Sequence, residues 1–136
     1  MDIMTRSERS IRMALIRSSN TGPEIAVRRL VYGMGYRYRL HGEDLPGRPD
    51  LVFKARQKVI FVHGCFWHLH RNCRNNRPPK SKREYWKPKL ERNAARDKQV
   101  RRRLRYLGWR SLVIWECELK KPDRLSRKIK NFFRGK

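Results

Sequence analysis

Acidic residues are scarce in this chain: twelve Asp and Glu stand against thirty-six Lys and Arg in 136 residues, a formal net charge of +24. Such an excess repels itself unless a polyanion neutralises part of it, which points to nucleic acid as the partner. Charge alone leaves open a solvated basic face, or a scaffold protein that binds nucleic acid without chemistry. Long apolar runs are also missing. The opening "MDIMTRSERS" is polar and leads into none, so neither a signal peptide nor a membrane span is expected, and the reading is a cytoplasmic protein with no membrane partner. Cysteine is sparse and odd in number, three in all. In a reducing compartment that favours metal ligands or buried thiols over disulfides. Apolar patterning, by contrast, is present: apolar residues make up 38% of the chain and gather in blocks such as "LVIW" at 112–115, which argues against a disordered tail. With no internal repeat and no linker, residues 1–136 read as one domain.

The spacing predicts a short basic helix over 7–17, then a second helix in "SNTGPEIAVRRLVYGMG", with Thr21 or Asn20 as cap, Pro23 in its first turn and Gly33 and Gly35 at its end. "YRYRL" at 36–40 alternates as a half-exposed strand does. Two further strands, 50–54 and 58–63, form a hairpin with Asp50 at its start. From Gly64 to Arg83 there is no periodicity, and a loop this long in a compact domain is functional or disordered. A long basic helix through "KPKLERNAARDKQVRRRLRYLG", a buried strand 110–116 and a last helix about 122–134 complete an α/β layer fold, with helices covering a mixed sheet.

Chemistry concentrates in "HGCFWHLHRNC", His63 to Cys73. Cys65, His70 and Cys73, joined by the distant Cys117, would make a closed tetrahedral site of the kind a structural zinc occupies. His68 and His63 compete with His70 for the imidazole position, and the bland alternative is buried thiols beside solvated histidines. Asp50, at the hairpin start, can hold a hard cation such as magnesium between strands, with His63 near it if the hairpin is tight; a plain Pro-Asp turn is the alternative. Glu24 lies in the first turn of its helix, where a carboxylate also complements the helix dipole. Phe66, Trp67 and Trp86 lie in the 64–86 segment without strand or helix spacing. They either wedge between base pairs or cover the metal knot.

Together "TRSERSIRMALIRSSNTGPEIAVRRL", "LPGRPDLVF", "VIFVHGCFWHLHRNC" and "EYWKPKLERNAARDKQVRRRLRYLGWRSLVIWEC" resemble the very short patch repair (Vsr) mismatch endonucleases over most of the chain. The resemblance implies a restriction-endonuclease-like α/β fold with a structural zinc. The implied activity is nicking of one strand of duplex DNA beside the thymine of a T:G mismatch left by deamination of 5-methylcytosine, with 3′ hydroxyl and 5′ phosphate products. It assigns magnesium to Asp50 and the main-chain carbonyl of Val62, which stands where the family has Thr. His63 and His68 become the active-site histidines and Glu24 the active-site acid. Met13, on the 1–20 arm, joins Phe66, Trp67 and Trp86 as residues entering the DNA. Cys65, His70, Cys73 and Cys117 become the zinc ligands, with Cys73 one residue further from His70 than in the family. The expected partners are mismatched duplex DNA and repair-machinery proteins, and the expected state is a monomer held at the nucleoid through DNA.

Overall fold

Thr21 begins the first helix in the computed structural model, which describes residues 21–65, 68, 70, 73 and 83–135. The expected helix 7–17 and Met13 lie outside these residues, as do Phe66 and Trp67. Helix α1 (Gly22–Gly33) is capped by the Thr21 hydroxyl, which accepts the Glu24 N–H at 3.4 Å, and Pro23 occupies the first turn, where its missing N–H costs nothing. Gly35, at φ +95°, turns the chain out of the helix in a conformation that glycine adopts freely.

Four strands follow in the order β1-β2-β3-β4: β1 (Arg39–Leu40), β2 (Leu51–Phe53), β3 (Lys58–His63) and β4 (Arg110–Trp115). β1–β2 and β2–β3 are antiparallel, with Leu51 opposite Ile60; β3–β4 is parallel, with His63 opposite Trp115. The crossover between these parallel strands carries α2 (Arg83–Tyr106), and α3 (Pro122–Arg134) ends the described chain.

Side chains alternate across the sheet and divide the core in two. Leu51, Phe53, Ile60 and Ile114 pack with Val27 and Val31 of α1 and with Leu125, Ile129 and Phe133 of α3. On the other face Val52, Val59 and Phe61 pack with Leu104 of α2. The result is the expected three-layer α/β arrangement around a mixed sheet.

Several boundaries differ from expectation. β1 is two residues long because Tyr36 and Tyr38 are spent on packing, Tyr36 stacking on Phe133 at 3.9 Å and Tyr38 meeting Phe53 edge-on. β2 stops at Phe53, and the polar connection is a short 3-10 turn, Lys54–Arg56, closed by Gln57 at φ 52°. α2 begins at Arg83, ahead of Pro88, so Trp86 belongs to the helix and not to the loop. Pro88 lies inside α2, in its second turn, where it removes one intrahelical N–H bond from a helix 24 residues long. β4 stops at Trp115, and a 3-10 turn, Glu116–Lys120, carries Cys117. Among the described residues no helix is long and apolar enough to cross a membrane.

Candidate active site and metal centre

Because β2 and β3 are antiparallel, the start of one lies beside the end of the other. Asp50 precedes β2, and its Oδ2 accepts the Val62 N–H at 2.7 Å. The carboxylate thus meets β3 one residue short of His63. The N–H and C=O of a strand residue point to the same side, so the Val62 carbonyl also faces the Asp50 side. Burial pushes the Asp50 carboxyl up to about 6, against the pull of the Val62 N–H and Arg28. A half-buried carboxylate beside a main-chain carbonyl is a hard oxygen pair that gains most from a cation, so these residues fit a magnesium ion.

His63 ends β3 and is 95% buried by its 5% residual exposure, with its ring stacked on His68 at 3.7 Å and 7°. Its Nδ1 has no hydrogen-bond partner among the described residues. Burial first, and the neighbouring His68 second, push His63 down to about 3, so it is neutral at pH 7. His68 is held differently: Nδ1 lies 2.5 Å from Asp97 Oδ2, on α2. With the carboxylate accepting, Nδ1 carries the proton, and Nε2 is the lone pair offered outward. The ligand atoms of His63, His68 and Asp97 lie within 4.8 Å of one another.

The second cluster is Cys65, His70, Cys73 and Cys117, whose four ligand atoms also lie within 4.8 Å of one another. Cys117 Sγ is 3.4 Å from His70 Nδ1. Zinc bonds of about 2.0–2.3 Å in a tetrahedron give ligand–ligand edges of roughly 3.5 Å, so the set needs only a small contraction. Burial pushes the Cys65 thiol up to about 12 and raises Cys117, while it lowers His70. Thiols become thiolates when a cation is there to hold them, and a neutral imidazole is ready to ligate. Of the three histidines, His70 lies with the cysteines, while His63 and His68 stack on each other.

Trp115 joins the two clusters. Its ring stacks on His70 at 4.1 Å and meets His63 edge-on at 5.2 Å. Glu116 adds a second tie, its Oε1 accepting the Cys65 N–H at 3.1 Å. Glu24 is 2% exposed and does not join either cluster; its Oε2 receives Arg28 and lies 3.1 Å from His41 Nε2. Sequence reasoning missed Asp97, Trp115 and His41. For Asp97 a signal was available: it is the one acidic residue between Arg92 and Arg110, an anomaly in so basic a helix. The outer face of that helix exposes Lys89, Arg92, Arg96, Lys98, Arg102 and Arg103.

A family model described as DNA mismatch endonuclease Vsr matches residues 1–75. The chain is 48% identical over 130 residues to the type II nicking enzyme V.XorIIP of Xanthomonas oryzae pv. oryzae, covering 96% of this chain and 95% of that protein. It is 38% identical over 125 residues to the DNA mismatch endonuclease Vsr of Escherichia coli, covering 92% and 80% respectively. Among solved structures, the catalytic domain of homing endonuclease I-Bth0305I superposes with a TM-score of 0.60 at 23% identity, over 84% of this chain and 95% of that one. That likeness is one of fold, and it is the restriction-endonuclease-like fold.

Proposed function

Because this chain belongs to the Vsr family of DNA mismatch endonucleases, we propose that it nicks one strand of duplex DNA beside the thymine of a T:G mismatch. The reading includes magnesium at Asp50 and the Val62 carbonyl, and a structural zinc held by Cys65, His70, Cys73 and Cys117. One observation carries it: the half-buried Asp50 carboxylate and an imidazole oriented by Asp97 lie at the same end of antiparallel β2 and β3.

When bound, magnesium polarises the scissile phosphate and stabilises charge on the leaving 3′ oxygen. The remaining work belongs to side chains. Asp97 holds His68 in one tautomer and one orientation, so that Nε2 can take a proton from the attacking water. His63, neutral and stacked on His68, keeps that ring from turning and adds no competing charge. Glu24 supplies a second carboxylate on the side of α1. The products are a 3′ hydroxyl and a 5′ phosphate.

Affinity is assigned to the basic outer face of α2, whose contacts with phosphate carry no sequence information. Selectivity is assigned to Phe66 and Trp67, with Met13 and Trp86, entering the stack around the mismatch. A mismatched pair costs less to unstack, so a wedge discriminates before any base edge is read. The spacing of Phe66 and Trp67 between Cys65 and His68 supports this, because a metal at Cys65 would anchor both neighbours.

The test is a nicking assay on labelled duplexes, one with T:G and one fully matched, with magnesium. Preferential nicking beside the thymine is expected. Equal cleavage of both would favour a nuclease of the same family with a broader target, a reading that the +24 charge supports.

A further inference from the structure

The fourth histidine, His41, takes no part in the reaction described so far, yet its backbone reaches the main chain of Asp50 while its side chain reaches the Glu24 carboxylate. Its N–H donates to the carbonyl of Asp50 at 3.1 Å. Its Nε2 lies 3.1 Å from Glu24 Oε2, and Arg28 donates to the same oxygen. Arg28 is a donor only, so the carboxylate is the group that can accept the Nε2 proton, and the 3.4 Å approach of Arg28 to Nε2 is a crowding contact between two donors. His41 adopts φ 49°, in the left-handed region that histidine enters more readily than most residues but that still costs energy. Immediately after β1, this turn of the backbone lets one residue make both contacts.

We propose that His41 is a positioning residue that fixes the Glu24 carboxylate of α1 relative to Asp50 on the edge of β2. Glu24 is 2% exposed, and its other partner, Arg28, sits on its own helix one turn away. Arg28 orients the carboxylate from within α1 and acts on Asp50 through its charge. His41 adds a hydrogen-bonded tie, joining the Glu24 carboxylate to the main chain of Asp50. The inference rests on the proposed nicking activity for the role of the two carboxylates, and on geometry alone for the tie itself.

The substitution that separates the two contacts is His41→Gly, which removes the imidazole, keeps the backbone N–H and suits a positive φ. His41→Asn is its counterpart, since Asn also enters the left-handed region and retains a side-chain donor. On T:G duplex at saturating magnesium, His41→Gly should lower kcat at least about tenfold with KM unchanged and a melting temperature within a few degrees of wild type, the scale of a misplaced catalytic group. His41→Asn should recover a large part of the rate. Combined with Glu24→Gln, the glycine variant should be no slower than Glu24→Gln alone, because His41 acts through Glu24. Independently of activity, the His41 Nε2 proton should be protected from solvent exchange by NMR in the wild type and lose that protection in Glu24→Gln. A glycine variant as fast as wild type, additive losses in the double variant, or an unprotected Nε2 proton would overturn the proposal. If wild type nicks no duplex while the NMR result holds, the tie stands and the proposed activity falls.

Discussion

Two donor clusters share the eleven residues from His63 to Cys73, and they differ in how fully their members satisfy one another. Cys65, His70, Cys73 and Cys117 converge as a closed set of four, drawn together from a loop and from the turn after β4. His63, His68 and Asp97 remain open: one imidazole nitrogen is buried without a partner among the described residues, and the Nε2 of His68 is left over once Asp97 has taken Nδ1. A closed set is complete once a metal is bound and has nothing left to offer a substrate, whereas an open one is finished by something from outside. Trp115, in contact with His70 and His63 together, lets the first cluster fix the position of the second.

Breaking each cluster in turn should therefore give opposite outcomes. The largest effect is expected from Cys117→Ser. Structural zinc contributes about 10 kcal/mol or more of apparent binding free energy to small domains, so losing one thiolate should strip the metal and lower the melting point sharply. Metal analysis and thermal melts on the same preparation check it; unchanged zinc content would remove Cys117 from the ligand set.

Asp50→Asn should do the reverse. Loss of the metal-binding carboxylate is expected to reduce nicking about a thousandfold or more, on the scale of the several kcal/mol that a bound metal supplies. Stability at pH 8 should hold or rise, since the amide oxygen can still accept the Val62 N–H and the burial cost that raises this carboxyl to about 6 disappears. A variant that nicks like wild type would end the assignment.

This contrast also explains how much was legible beforehand. The last helix was read at its observed bounds, 122–134, and the hairpin and crossover strand were placed within a residue or two, because apolar periodicity encodes burial locally. The four-donor cluster was visible because cysteine is rare enough that each one is informative. The roles of Asp97 and His41 were not: Asp97 stood out only as an acid in a basic helix, and a hydrogen bond to a residue twenty-nine or seventeen positions away leaves no local pattern. The early start of α2 was hidden by Pro88, which reads as a helix boundary yet lies inside the helix, in its second turn.

Asp97→Asn sharpens the open cluster. A partner that orients a functional imidazole is worth roughly 10–100-fold on replacement, and the amide can no longer enforce the tautomer with Nδ1 protonated. Nicking should fall by that factor with duplex affinity unchanged, as read by single-turnover kinetics and equilibrium binding. Acid should act on the same cluster. His63 is lowered to about 3 when folded against an ordinary 6.5, so its contribution to stability is fully present above about pH 6.5 and drains away as pH falls toward 3. The cysteine cluster also releases metal in acid, so the quantity to measure is the difference between wild type and His63→Gln across that window. A difference independent of pH would show that His63 is not buried as a neutral ring.

The smallest effect is expected at Val62. Its part in the site is played by the main chain: the N–H held by Asp50 and the carbonyl on the same side of β3. Its side chain packs against the core shared by α1 and α3. Val62→Thr should therefore leave nicking within about twofold and cost up to about 1 kcal/mol of stability, the toll of placing a hydroxyl against apolar neighbours. A tenfold gain in rate or in magnesium affinity would mean that a side-chain oxygen belongs at this position, and that the magnesium site at Asp50 is one ligand short.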